Sequence, residues 1–115
     1  MNRIQRKYFK KLPQKSKSVT RPGRWGNPYK VVEENGLFFI KLDQFKAPID
    51  GYKNKSDANK LAVIFYRIYL TKQLESNNLD LSDFDGIENI ACFCKEHETC
   101  HGDVIIEKYN EYSNK

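Results

Sequence analysis

The chain has 115 residues, enough for one domain with its own core and too few for two ordinary ones. Hydrophobic residues make up 39% and aromatics 13%, so a packed core is expected despite a mean hydropathy of −0.75, and wholesale disorder is excluded. The formal charge of +5 is unevenly spread: residues 1–30 carry ten bases and no acid, whereas the remainder carries ten bases against 15 acids.

In chain order, residues 1–18 lack clean periodicity, and Pro13 among Lys, Gln and Ser marks a loop. A basic arm or linker is expected there, with a short strand near Ile4 to Phe9, and residues 19–115 are expected to form a single α/β domain. A basic arm on an acidic body suits a polyanion, a nucleotide or a second copy of the chain. Under an arm reading, deleting residues 1–18 abolishes nucleic-acid or host-protein binding and leaves the rest largely untouched. No zinc-finger, helix-turn-helix or RNP pattern accompanies the charge, so nucleic acid is weakly supported.

Two prolines and two glycines between Arg21 and Pro28 exclude regular structure and predict a fixed loop carrying Trp25. Asn35-Gly36, between Val31-Val32 and Leu37 to Leu42, predicts a β-hairpin. Ser56 reads as an N-cap, with Asp57 placed well against the helix dipole. Ala58, Leu61, Ala62, Phe65, Ile68 and Tyr69 then predict an amphipathic helix through about Leu74, ended by Asn77-Asn78. Leu79 to Phe84 predicts a short helical turn, Ile87 to Phe93 a buried strand, and Asp103 to Tyr112 a closing helix. The expected fold is a short sheet with a β-hairpin packed against two main helices.

No apolar run approaches the roughly 20 residues of a membrane span, and no hydrophobic signal-peptide segment stands at the start. The expectation is a cytoplasmic protein with no membrane partner. In that compartment thiols stay reduced, which matters because all three cysteines and both histidines lie within Cys92 to His101.

Such crowding defines a site. Alternation along a strand puts Cys92 and Cys94 on one side and sends Phe93 to the opposite, core side. Cys100-His101-Gly102 falls at the mouth of the last helix, where unpaired amides favour an anion and would lower the Cys100 pKa. Three thiolates and one imidazole satisfy tetrahedral zinc, giving Cys92, Cys94, Cys100 and His101 (or His97) as the candidate metal set. Against zinc stand the Cys-x-Cys spacing and the adjacency of Cys100 and His101. A second reading makes Cys100 a nucleophile, with His101 or His97 as base and Asp103 as orienter. The bland alternative is thiols packed beneath a pocket.

In the other segment, Arg21 and Arg24 offer guanidinium forks for phosphate and Trp25 a flat face for stacking. Asn27 can both donate and accept, and Gly23 and Gly26 would let a ligand approach the backbone. The alternative is a structural loop whose Trp caps the core.

Taken together, Arg21-Pro22-x-x-Trp25-Gly26-Asn27-Pro28 and Cys92-Phe93-Cys94 with Cys100-His101-Gly102-Asp103-Val104-Ile105 resemble a family of small phage and bacterial domains of unknown function, numbered 4326. Phe65-Tyr66-Arg67-Ile68-Tyr69-Leu70 is similar to the helix with a Tyr-Arg pair found in the middle of that family. Phe93 departs from the Trp usual between the first two cysteines, the motif loop lies further from the N-terminus than is common, and His97 is outside the pattern. The resemblance implies a compact α/β domain that brings both motifs together, and it implies no activity.

The expectation for function is therefore a domain that binds a nucleotide or nucleotide-derived phosphate compound between the two motif loops. Its contacts would be Arg21, Arg24, Trp25, Asn27, Cys94, Cys100, His101 and Asp103, with no cofactor required and zinc as a candidate. The resemblance, which points towards phage genomes, suggests one concrete version, an oligomeric counter-defence protein that sequesters a host immune nucleotide signal such as a cyclic ADP-ribose derivative. The competing class is an enzyme acting on a nucleotide through Cys100, His101 and Asp103.

Overall fold

In the computed structural model, which describes residues 1–7, 11–21, 23–95 and 97–114, six strands form two three-stranded sheets flanked by two main helices. The strands are β1 (Asn2–Gln5), β2 (Ser16–Ser18), β3 (Lys30–Glu34), β4 (Leu37–Leu42), β5 (Phe45–Tyr52) and β6 (Asn89–Cys92). Helix α1 spans Lys55–Glu75, a 3-10 turn spans Leu81–Phe84, and α2 spans His101–Ser113.

The first sheet has the order β1-β6-β2 and is parallel throughout, with Asn2 opposite Asn89 on one side and Ser16 opposite Asn89 on the other. The segment expected as a free arm therefore supplies both edge strands of this sheet. Edge strands tolerate charge because one side of their backbone faces outward, so the basic composition of residues 1–18 does not exclude pairing. Part of the strand expected at Ile4 to Phe9 lies outside the described residues, which omit 8–10; the described strand begins earlier, at Asn2.

The second sheet is the antiparallel meander β3-β4-β5. Its hairpin turn falls at Asn35-Gly36, both with positive φ (53° and 79°), as a type I′ connection demands. Strand β5 is an addition to the expected hairpin.

Helix α1 begins two residues before the expected cap. Asn54 has extended backbone and accepts from the Asp57 amide at 2.9 Å, while its own amide donates to the Asp57 carboxylate at 3.0 Å. This reciprocal pair satisfies an otherwise orphaned helix donor, a role that Ser56, already inside the first turn, does not fill. Of the expected face, Ala58 and Ala62 are buried and Leu61, Phe65 and Tyr69 are partly buried, whereas Ile68 is exposed; Tyr66 and Leu70 are buried in addition. Ala58 and Ala62 meet Ile40 of the meander; Tyr66 and Leu70 enter the other core with Trp25, Phe84, Ile90, Val104 and Ile105. Two faces of one helix thus close two separate cores.

Candidate functional site

Strand β6 ends at Cys92, and the bend that follows returns Cys94 towards it. Cys100 is the N-cap of α2: its backbone is extended and its Sγ accepts from the Gly102 amide at 3.4 Å. Strand end and helix start thereby converge. One sulfur from each of Cys92, Cys94 and Cys100 lies within 4.8 Å of the other two, and Cys100 Sγ donates to Cys92 Sγ at 3.2 Å. Cys92 and Cys100 are buried and Cys94 is half-buried.

Arg3 of β1 reaches this cluster from below. It hydrogen-bonds Cys100 and Cys92, and its Nε pairs with the Asp103 carboxylate at 3.0 Å. Hydrogen bonds from Cys100 and then Cys94, helped by Arg3, pull the Cys92 thiol far below its usual range. Hydrogen bonds with Cys100 and Cys92, together with burial, push Cys94 the other way. Cys100 is also raised, chiefly by its bond to Cys92, which corrects the expectation that the helix start would lower its pKa. The Gly102 amide does lower it, but this effect is outweighed.

His101 is fixed by its far nitrogen, Nε2, which lies 2.7 Å from the Val19 carbonyl. A carbonyl only accepts, so Nε2 carries the proton and Nδ1 is left as an acceptor, 3.9 Å from Cys100 Sγ. Burial lowers the His101 pKa, against the opposing pull of the Val19 carbonyl, and so favours this neutral form. The ring meets Tyr66 edge-on with centroids 5.0 Å apart, and the Tyr66 hydroxyl donates to the Trp25 carbonyl at 2.8 Å. Burial raises the Tyr66 phenol above its ordinary range, keeping it a donor.

Above the thiols lies a cavity of about 460 Å³. Arg21 and Asn27 from the Trp-Gly-Asn-Pro loop line it together with Cys94, Cys100 and His101 from the cysteine segment. Asn27 is locked in place by Nδ2 donating to the Ala62 carbonyl (3.1 Å) and Oδ1 accepting from the Tyr29 amide (2.9 Å). Arg21 donates to the carbonyls of Asn27 and Tyr29 at 3.2 and 3.3 Å, an exposed fork pinned at the rim. Thr20, Tyr29, Lys55, Asn59, Thr99 and the carboxylate-bearing Glu98 complete the polar lining, and Asn59 ties α1 to the cysteine loop through the Thr99 carbonyl at 2.6 Å.

Three expected contacts are elsewhere. Trp25 is 3% exposed and packs edge-on against Phe84 (4.5 Å) in the core, so its ring presents no face to the cavity. Arg24 points outward and donates to the Asn78 carbonyl at 3.0 Å. Asp103 pairs with Arg3 and does not line the cavity, so the expected Cys-His-Asp relay is not formed; the Val19 carbonyl holds His101 instead. His97 is exposed and outside the lining, and neither it nor His101 belongs to the mutually close ligand set, which is the three cysteines alone among the described residues. Gly23 and Gly26 serve the loop itself: a Cβ at either would meet backbone of Thr20 or Arg21 at 2.9 Å. Phe93 is 41% exposed, under the Arg6 guanidinium and on the cavity wall, because the strand stops before it and alternation no longer holds.

Arg3, Lys55 and Asn59 were not singled out by sequence reasoning. Arg3 carries no local signal, because its partners Cys92, Cys100 and Asp103 lie roughly ninety to a hundred residues further along the chain.

The profile of a family described as Domain of unknown function (DUF4326) matches residues 2–111, nearly the whole chain. The protein belongs to that family, and the match takes in β1, both motif loops and α2. No curated protein and no solved structure matches the chain.

Proposed function

We propose that the cavity binds a compact anionic small molecule, with a nucleotide or nucleotide-derived phosphate compound as the leading class. The observation that carries this reading is the shared lining: two segments some seventy residues apart, one bringing Arg21 and Asn27 and the other Cys94, Cys100 and His101, enclose one space. Its volume of about 460 Å³ falls in the ordinary range of small-molecule sites. Arg21 and Lys55 supply positive charge, and the first amides of α2 add the partial charge of a helix start. With Trp25 in the core, stacking falls to Tyr29 or Phe93. In the sequestration version, a counter-defence protein holding a host signal nucleotide, the ligand is returned unchanged. The thiol trio suits zinc, which belongs to this reading as an optional component.

Calorimetry of the whole chain against mono-, di- and cyclic nucleotides tests the proposal, with Arg21→Ala as the control. Binding in the micromolar range that weakens at least about 10-fold in the variant supports it, since a charged hydrogen bond contributes about 1.5–3 kcal/mol. No heat with any nucleotide, or full affinity in the variant, overturns it. Chromatography of the incubated nucleotide separates sequestration from turnover.

A further inference from the structure

We infer that Cys92, Cys94 and Cys100 form a three-thiolate site for one divalent soft metal ion, zinc by chemical class, with the fourth coordination position open to the cavity. The inference extends the cavity reading and rests on it only for the nature of the fourth ligand.

The spacing comes first. Sulfurs around tetrahedral zinc, each about 2.3 Å from the ion, stand about 3.8 Å apart. The three sulfurs here lie within 4.8 Å of one another with one pair at 3.2 Å, which brackets that separation. Their carriers are the end of a strand, the bend after it and a helix cap.

Charge comes second. Three thiolates around a divalent ion leave one net negative charge, and Arg3, hydrogen-bonded to Cys100 and Cys92 as well as paired with Asp103, offsets part of it. Arg3 is also informative about direction: it touches the sulfurs but does not line the cavity, whereas all three cysteines do. One side of the trio is therefore covered by a cation and the other faces open space. A metal there keeps an open position on the cavity side, the arrangement of reactive zinc sites as opposed to closed structural ones.

His101 gives the third observation. Its Nε2 proton is committed to Val19 and its Nδ1 is an acceptor beside Cys100, yet the ring lies outside the mutually close set. It lines the cavity beside the trio, where Nδ1 would serve as a hydrogen-bond acceptor for a ligand entering the open position. On metal binding the thiol protons pass to solvent, and nothing is oxidised or reduced.

Cobalt(II), titrated into the full chain after chelator and reductant treatment, reads the site directly. Expected are saturation at one ion per chain, a sulfur-to-cobalt charge-transfer band of three-thiolate intensity, and visible bands of tetrahedral shape. Cys94→Ser, the half-buried member, should cut the band and weaken binding at least about 100-fold, beyond the 10- to 100-fold typical of outer partners of a metal ligand. His101→Gln should keep stoichiometry and thiolate band, and inorganic phosphate should shift the visible bands of the unaltered protein. Absence of stoichiometric binding, or binding unchanged in Cys94→Ser of native circular dichroism, overturns the site. A phosphate-insensitive spectrum overturns the open position. Nucleotide calorimetry on the metal-free chain reports separately on the cavity reading, so either can fail alone.

Discussion

The two sheets make an instructive contrast. Around β6 the parallel sheet packs against α1, α2 and the 3-10 turn with eleven buried side chains in one core, among them Cys92 and Cys100. The meander β3-β4-β5 buries Phe39 and packs Ile40 in a small cluster with Ala58 and Ala62 of α1, and it leaves Phe45 and Ile49 exposed. Position follows from this difference. The densely packed half holds the thiols and His101 in fixed geometry, the thin half supplies a wall, and the cavity opens where α1 passes from one to the other.

The sharpest way to break the contrast is to remove residues 1–18. This deletes both partners of β6, exposes its backbone groups on each side and takes away Arg3. Cooperative thermal unfolding should disappear, where a free arm would have left the melting curve almost unchanged.

Next in size, Phe84→Ala empties a fully buried position against Trp25 and should cost about 3–5 kcal/mol in urea denaturation. Ile40→Ala in the meander should fall nearer the lower end of the roughly 2–5 kcal/mol range, because its thin surroundings can collapse into the space. Equal losses would mean that the two cores are one cooperative block. A smaller loss, about 1–3 kcal/mol, is expected for Tyr66→Phe, which strips the Trp25 carbonyl of its buried donor. Smallest is Gly36→Ala: a φ of 79° strains any side chain there, and about 1 kcal/mol should be lost even though the added methyl meets nothing.

Legibility in the sequence divides along the same line. Asn35-Gly36 announced the hairpin, Asn77-Asn78 the end of α1 and the Cys100 region the start of α2, because turns and caps are written in adjacent residues. The β1-β6-β2 pairing was not legible. Parallel partners are chosen by contacts across the fold, and Asn2–Gln5 shows no alternation that would mark it as a strand. The face of α1 was legible at Ala58 and Ala62 but not at Tyr66, Ile68 and Leu70, because apolar residues run almost all round the helix between Leu61 and Leu70; which of them is buried depends on the two sheets it bridges. In the site, the chemistry of the cysteine cluster and of Arg21 and Asn27 could be read from residue types. The inward turn of Trp25 could not, since an indole beside guanidiniums serves a core as well as a ligand.

The placement of β6 between two strands drawn from the opening residues bears on how the molecule is made. A ribosome releases Asn2–Gln5 and Ser16–Ser18 well before Asn89–Cys92 exists, so these edges wait with unmet backbone groups until their shared partner emerges. Arg3 and Lys17 on these strands, with the basic residues around them, repel neighbouring nascent chains during that interval. The same charges that first suggest an outward-reaching tail thus act as a guard on a sheet whose keystone arrives after both of its edges.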